Sequence, residues 1–394
     1  MADPYVKQYL MTPGPTPLPS AVSLVMAQPM SYHRAPAFIE VYGRALKRLP
    51  QVFGTQGDVL LFAASGTGAM ESAVSNLIRP GDAALVVSCG KFGERWAELC
   101  DAYGAATVHE GVEWGTKIDP AEVDRLLGEN PEVGVFFTTL SETSTGVVND
   151  VRALAEVAHA HGTLIAVDAV SGAGAVPVNQ DEWGLDVVVS GSQKALMAPP
   201  GLGFASPNDA ALARAAERAE GRYYFDWHKT LKGQRSEQPD SAFTPAVGLV
   251  QALDVALGLI EAEGMAQVFE RHRLLGDATR AAVRALDLEI FGPEDENANV
   301  CTAIRLPEGI DGTKVPKLMR DRYGITIAGG QARLKGKICR IAHCGYFGAF
   351  DVFTAVSGLE MTLAELGHEV EQGAGVGAAQ QVFLAAGVSA GAPA

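Results

Sequence analysis

A chain of 394 residues with a formal charge of −15 is long enough for two or three domains and a large buried core, and its acid excess argues against nucleic acid or an anionic membrane surface as the main partner. An anion held in a local basic pocket remains compatible with that charge. Hydrophobic residues make up 47% and charged residues 20%, as in ordinary enzymes; no apolar stretch has the length of a membrane span, and Met1-Ala2-Asp3-Pro4 does not read as a signal peptide.

Residues 1–35 form a Pro-rich arm containing Thr12-Pro13-Gly14-Pro15-Thr16-Pro17, expected to be irregular and draped over another surface. Residues 36–263 alternate between the two periodicities. Strands are expected at 59–64, 83–88, 106–109, 133–140, 164–170, 185–190 and 203–206, with helices at 68–79, 91–103, 119–130, 151–161, 208–219 and 246–263. That alternation predicts an α/β domain, a mainly parallel seven-stranded sheet between helices. From residue 264 to 370 the texture becomes that of a smaller α+β domain, with a long helix from Met265 to Leu286, strands at 300–305 and 338–342, and helices at 313–322 and 350–366. The tail, 371–394, is rich in Ala, Gly and Val; a short helix near 377–386 and a disordered end are expected. Cys89, Cys100, Cys301, Cys339 and Cys344 form no CxxC pair, so they read as small buried hydrophobes in a reducing cytoplasm.

Three strand ends carry chemistry. Lys194 follows the apolar run Leu185–Val189 within Ser190-Gly191-Ser192-Gln193-Lys194. Most lysines are solvated surface charges. An amine placed in a turn of small residues at the end of a buried strand is instead desolvated, lowered in pKa and able to attack a carbonyl; pyridoxal phosphate (PLP) is the expected carbonyl compound. Asp168 ends the preceding run, Leu164–Val167. Alone it reads as a turn or helix-cap carboxylate, a metal ligand, or the partner of a protonated pyridine nitrogen. In a parallel sheet it would emerge beside Lys194 at the carboxyl edge, where ligands bind. Ser65-Gly66-Thr67-Gly68 joins the strand 59–64 to a helix. It reads as a plain turn or as a phosphate cup with hydroxyl donors from Ser65 and Thr67; the dinucleotide fingerprint lacks its third glycine, since position 71 is Glu.

With those pieces stand Thr12-Pro13-Gly14-Pro15, Glu142-Thr143-Ser144-Thr145-Gly146, Ala198-Pro199-Pro200-Gly201 and Cys339-Arg340-Ile341-Ala342-His343. Together, over roughly residues 10–367, they resemble the class V aminotransferases of PLP fold type I, in particular the alanine–glyoxylate and serine–glyoxylate aminotransferase family. The resemblance implies that Lys194 carries PLP and that Asp168 faces its ring nitrogen. It implies a phosphate site of Ser65, Gly66, Thr67 and Gln193, with Phe92 and Val170 on the two ring faces; Phe92 departs from the tryptophan of well-known members. Thr143 would lie near the ring hydroxyl or the substrate, with Gly14 also toward the substrate. Arg340 would clamp the substrate carboxylate bidentately, against the plain reading of a surface arginine. Arg333 is a second basic candidate, and His343 reads as a core histidine. Thr244, in Ala242-Phe243-Thr244-Pro245, would reach the phosphate held by the other subunit of a homodimer.

The implied activity is ping-pong transfer of an amino group from alanine, serine or aspartate to glyoxylate or pyruvate. Ureidoglycine–glyoxylate and pyridoxamine–pyruvate aminotransferases are the nearest alternatives. Cysteine desulfurases usually carry His where Gln193 stands. A nucleotide-dependent dehydrogenase would need the missing glycine, and a non-catalytic PLP-binding regulator would need a DNA-binding segment.

Overall fold

A computed structural model describes residues 7–218, 221–293 and 298–387. All seven expected strands share one sheet, in the order Leu60–Phe62, Gly203–Pro207, Val187–Gly191, Leu164–Asp168, Val135–Thr139, Ala83–Ser88, Ala106–Gly111. The sheet is mixed: Gly203–Pro207 runs antiparallel to both its neighbours, and the remaining pairs are parallel. Central strands such as Val135–Thr139 are buried at every position, because helices cover both faces. Phe136 packs in one layer with residues of the helices Pro36–Phe53, Val151–Ala160 and Val247–Glu263. The neighbouring Phe137 points to the other layer, against the helices Gly66–Leu77 and Lys91–Ala102.

Two helices were not legible in the arm and its sequel. Ser20–Met26 is helical within the stretch expected to be irregular, starting directly after Pro19. The prolines lie before the helix, where they break no hydrogen bond, and buried Val22 anchors it on Val247–Glu263. Pro36–Phe53 continues the chain. The arm also pairs Tyr9–Leu10 in parallel with Ile325–Thr326, so it is tied to the C-terminal part of the chain.

That part builds its own antiparallel sheet, Cys301–Arg305, Ile338–Ala342 and Ala328–Gly329. A second core surrounds it, including Leu275, Ile304, Ile341 and Val352. Gly264, at φ +84°, separates the helices Val247–Glu263 and Met265–Ala285. The tail contributes a helix at Ala374–Ala385; the expected disorder falls on residues 388–394, outside the described residues.

The tail helix is fastened by a buried carboxylate. Its N-cap, Gly373, has no side chain to accept from the first turn. Glu360 accepts instead from Gly373 N and Gly375 N, both at 2.9 Å, and from Val376 N at 3.3 Å. Glu360→Ala is expected to cost about 1–3 kcal/mol, the scale for stranding buried donors. Amide exchange across 374–385 should accelerate while the seven-stranded sheet stays protected. Unchanged protection would show that apolar packing through Ala379 and Phe383 holds the helix by itself.

Candidate active site

Asp168 ends the strand Leu164–Asp168, and Lys194 lies in the turn after the adjacent parallel strand Val187–Gly191. Both are buried. The Lys194 amine donates to the carbonyl of Pro13 in the arm. Gly14, at φ +126°, follows; that left-handed backbone favours glycine, and a side chain there would overlap the lysine. The arm grips the main chain too, with Thr16 N donating to Gln193 O at 3.1 Å and Thr16 Oγ1 to Lys194 O at 2.9 Å.

Burial decides the protonation of both groups. It lowers the pKa of Lys194, so the neutral amine gains population. Burial also pushes the Asp168 carboxyl up to about 7; a hydrogen bond from Val170 N at 2.8 Å opposes the rise, and the Glu142 carboxylate adds to it.

Ser65 caps the helix Gly66–Leu77, its Oγ accepting from Gly68 N at 3.3 Å. The first-turn N–H groups of Gly66 and Thr67 have no carbonyl of their own helix to reach. Val170 packs against Gly66, since a Cβ there would come 2.8 Å from its Cγ2. Gly191 lies between the Gln193 side chain and the backbone of Gly66; Gln193 Oε1 itself has no partner. Phe92 begins the helix Lys91–Ala102, and its ring centroid is 5.9 Å from Lys194 Nζ. The fold therefore gathers Ser65, Gly66, Thr67, Val170, Gln193, Phe92, Asp168 and Lys194 at one edge of the sheet.

Arg95 joins them without having been singled out from sequence. It donates to Thr67 Oγ1 at 3.2 Å and lies over the Phe92 ring, 5.2 Å from its centroid. Its signal was the spacing from Phe92, three residues along one helix face.

Arg340 reaches the site from the buried strand Ile338–Ala342, which excludes the surface reading. Its guanidinium donates to Gly329 O from Nε at 3.2 Å and Nη2 at 2.7 Å, and to Thr143 O from Nη1 at 2.6 Å. Of five N–H groups, one on each terminal nitrogen is left over. Thr143 Oγ1 is buried with no partner. Arg333 is exposed, stacked 4.1 Å from the Trp114 ring centre and 3.6 Å from Glu94. His343 is a core side chain, with Nε2 3.1 Å from Thr302 Oγ1 and its pKa pushed down to about 3 by burial. Thr244 stands apart, exposed on a loop that forms a groove with Phe62, Ala63 and Tyr224. All five cysteines are free and buried, and burial holds the thiols of Cys301 and Cys344, nearest the lysine, up at about 11 and 12.

These residues fit PLP. Lys194 offers a desolvated amine for the aldehyde. Asp168 offers a carboxyl that, among the described residues, has no cationic partner at hydrogen-bond distance, suited to a protonated ring nitrogen. The first turn of Gly66–Leu77, with Ser65 and Thr67, offers donors to a phosphate. Among the described residues the buried Thr143 Oγ1 and Gln193 Oε1 have no hydrogen-bond partner, so both can bond to a group bound here.

Comparison with known proteins agrees. The family model described as Aminotransferase class-V matches residues 8–344. A protein of Synechococcus sp. described as the small subunit of a soluble hydrogenase is 42% identical, over 96% of this chain and 99% of that protein. The serine–glyoxylate aminotransferase of Methylorubrum extorquens is 36% identical, over 95% of each chain. The crystal structure of ureidoglycine–glyoxylate aminotransferase from Bacillus subtilis superposes with a TM-score of 0.91 at 30% identity, covering 98% of this chain and 99% of that one.

The Asp168 geometry makes a pH prediction for the cofactor-free protein. The carboxyl titrates near 3.8 when unfolded and about 7 when folded. The folded state thus keeps a proton that the unfolded chain releases, and stability is lost as pH rises from about 4 through 7, by on the order of 4 kcal/mol. Asp168→Asn removes that penalty. Without cofactor it should melt higher than the parent at pH 8 and level with it near pH 4. With PLP added, the parent should gain more. Parallel melting curves across pH would show that Asp168 is not the strained group.

Proposed function

We propose that this chain, which belongs to the class V aminotransferase family, takes the amino group of a small amino acid, alanine, serine or aspartate, and passes it to glyoxylate or pyruvate. It is a PLP-dependent transaminase with the fold of PLP fold type I. The observation that carries the substrate reading is the pairing of buried Lys194 with Asp168, together with the buried Arg340, whose guanidinium is pre-oriented by the carbonyls of Gly329 and Thr143. Similarity to the Methylorubrum serine–glyoxylate enzyme supports it. The hydrogenase description of the Synechococcus protein is not carried over, because an amine–carboxylate pair beside a phosphate cup is what assembles here.

PLP bound at this site supplies a carbonyl that accepts an amino group and a ring that withdraws electrons from the donor Cα. Ser65, Gly66, Thr67, Gln193 and Arg95 would hold its phosphate end, Phe92 and Val170 its ring faces, and Asp168 its ring nitrogen. Arg340 grips the donor carboxylate with its two remaining N–H groups and so fixes which bond of Cα points at Lys194. Lys194 Nζ, made easier to deprotonate by burial, would take the proton from the donor Cα and pass it to the carbonyl carbon of the cofactor within the same half-reaction; with the keto acid the transfer would run in reverse. Pro13 O, which holds the amine, and Thr16, which holds its main chain, keep that base in place.

Lys194→Ala should bind PLP without covalent attachment, lose the borohydride-sensitive yellow colour and turn over no donor. Near-parental turnover would exclude Lys194 as the proton carrier. In the parent, single half-reactions followed in the cofactor band rank the donors. Fast bleaching by alanine, serine or aspartate is expected; bleaching only by ureidoglycine or pyridoxamine would assign the substrate to those reactions instead.

A homodimer with shared sites is part of the proposal, as is a reducing, cytoplasmic location, which the five free cysteines support. Leu24, Met26, Met30 and Tyr32 are exposed along one stretch, with Leu259 exposed on the helix against which Ser20–Met26 packs; such a patch favours burial between copies. Thr244 of one chain would reach the phosphate held by Ser65 and Thr67 of the other. Inactive Lys194→Ala and inactive Thr244→Trp chains, mixed and allowed to exchange, should regain activity, since one site of a mixed dimer carries neither lesion. Full activity of Thr244→Trp alone, or no recovery after demonstrated exchange, rules shared sites out.

A further inference from the structure

The helix Lys91–Ala102 starts without a cap of its own. Its N-cap is Gly90, in extended backbone at φ 174°, with no side chain to accept from the first turn. The acceptors come from Glu142, which ends the strand Ser141–Glu142, and from Ser144 in the turn after it. Phe92 N and Gly93 N both donate to Glu142 Oε2 at 2.9 Å. Lys91 N donates to Ser144 Oγ at 3.0 Å, and that hydroxyl donates to Glu142 Oε1 at 2.6 Å. Ser144 N adds a bond to Oε1 at 3.0 Å. The first three helical N–H groups are thus all satisfied from Glu142 and Ser144. Gly90 is required by the close approach, since any side chain there would overlap both residues.

Glu142 is completely buried. A buried carboxylate is costly unless fully hydrogen-bonded, and a helix N-terminus is where negative charge is favoured. Thr143, between Glu142 and Ser144, presents its carbonyl to Arg340 Nη1 at 2.6 Å. One carboxylate therefore holds both the helix start that carries Phe92 and the turn whose carbonyl meets Arg340.

We propose that Glu142 is a positioning residue that sets Phe92 against the cofactor ring and Arg340 against the substrate carboxylate through one shared anchor. The inference rests on the roles proposed above for Phe92 and Arg340. Each Glu142 oxygen accepts from two donors. In Glu142→Gln the negative charge is lost from both arms, and whichever oxygen becomes NH2 faces at least one backbone N–H, so at least one bond of the anchor breaks. Ser144→Ala is the selective variant, since it leaves the bonds to Phe92 and Gly93 in place.

The test measures two quantities on the full-length protein. One is the dissociation constant of PLP, from fluorescence quenching of the cofactor-free form. The other is the split of KM and kcat for the best amino donor. Glu142→Gln should raise the PLP dissociation constant and the donor KM each by about tenfold, with kcat falling less. In double variants the effects should not multiply. Over Phe92→Leu, Glu142→Gln should weaken PLP by less than about threefold, and over Arg340→Lys it should raise KM by less than about threefold. Ser144→Ala should raise donor KM and leave PLP affinity near parental. Fully multiplicative effects in both cycles overturn the shared anchor. If Glu142→Gln does not fold by circular dichroism, Ser144→Ala decides, and weakened PLP binding with parental KM overturns the inference. Phe92→Leu and Arg340→Lys without effect would instead overturn the site reading and the anchor with it; effective single variants with multiplicative doubles overturn the anchor alone.

Discussion

Lys194 and Asp168 are shut away from water, and each is costly to charge for that reason. Most of the surrounding architecture serves that exclusion. The parallel register of Leu164–Asp168 and Val187–Gly191 brings both groups to one edge of the sheet, and the edge by itself would be open. The arm closes it: Pro13 O takes the amine, and Thr16 holds the main chain at Gln193 and Lys194. From the other side Gly345 packs so closely that a Cβ would come 2.9 Å from Lys194 O. Gly345 is itself fixed, its N–H donating to His272 Nε2 at 2.8 Å and its carbonyl accepting from Arg271 Nη1 at 2.7 Å. A desolvated amine thus depends on segments from both ends of the chain.

The buried carboxylates Glu142 and Glu360 solve one problem in the same way. Each faces a helix whose N-cap is glycine, and each replaces the missing local cap with bonds from a distant element. A local Ser or Asp cap would satisfy the helix and tie it to nothing. A carboxylate supplied from elsewhere fixes the helix relative to the element that carries the carboxylate, and the N-terminal dipole offsets part of the cost of burial. For Lys91–Ala102 the tie orients Phe92; for Ala374–Ala385 it fastens the tail to Ala349–Glu365.

What the sequence disclosed follows from range. Val135–Thr139 and its neighbours were legible because apolar β-rich runs buried on both faces leave a continuous signature. Asp168 and Lys194 were legible because Asp168 ends such a run and Lys194 stands in the small-residue turn that follows one. Ser20–Met26 was not, since the nearby prolines argued against helix and only packing on a partner reveals that they stop in time. The two-residue strands Ser141–Glu142 and Val147–Val148 are too short for any periodicity. The contacts Thr16–Lys194 and Glu142–Phe92 join residues with no local pattern in common, so only the folded chain displays them.

Arg340 shows how such long-range contacts prepare chemistry. Three of its N–H groups are spent on Gly329 O and Thr143 O before any substrate arrives. A free guanidinium would lose rotamer entropy on binding a carboxylate; this one has already lost it to the fold. The remaining pair of N–H groups is then aimed by two main-chain carbonyls on different elements. Lysine could keep the charge but could not bond to two carbonyls and still present a two-pronged donor. In the role proposed for Arg340 the positive charge would attract the substrate carboxylate, while the carbonyls of Gly329 and Thr143 would set the angle at which it is met. That places the geometric part of recognition in backbone positions, where side-chain substitution cannot remove the acceptor and only displacement of the turn or strand can.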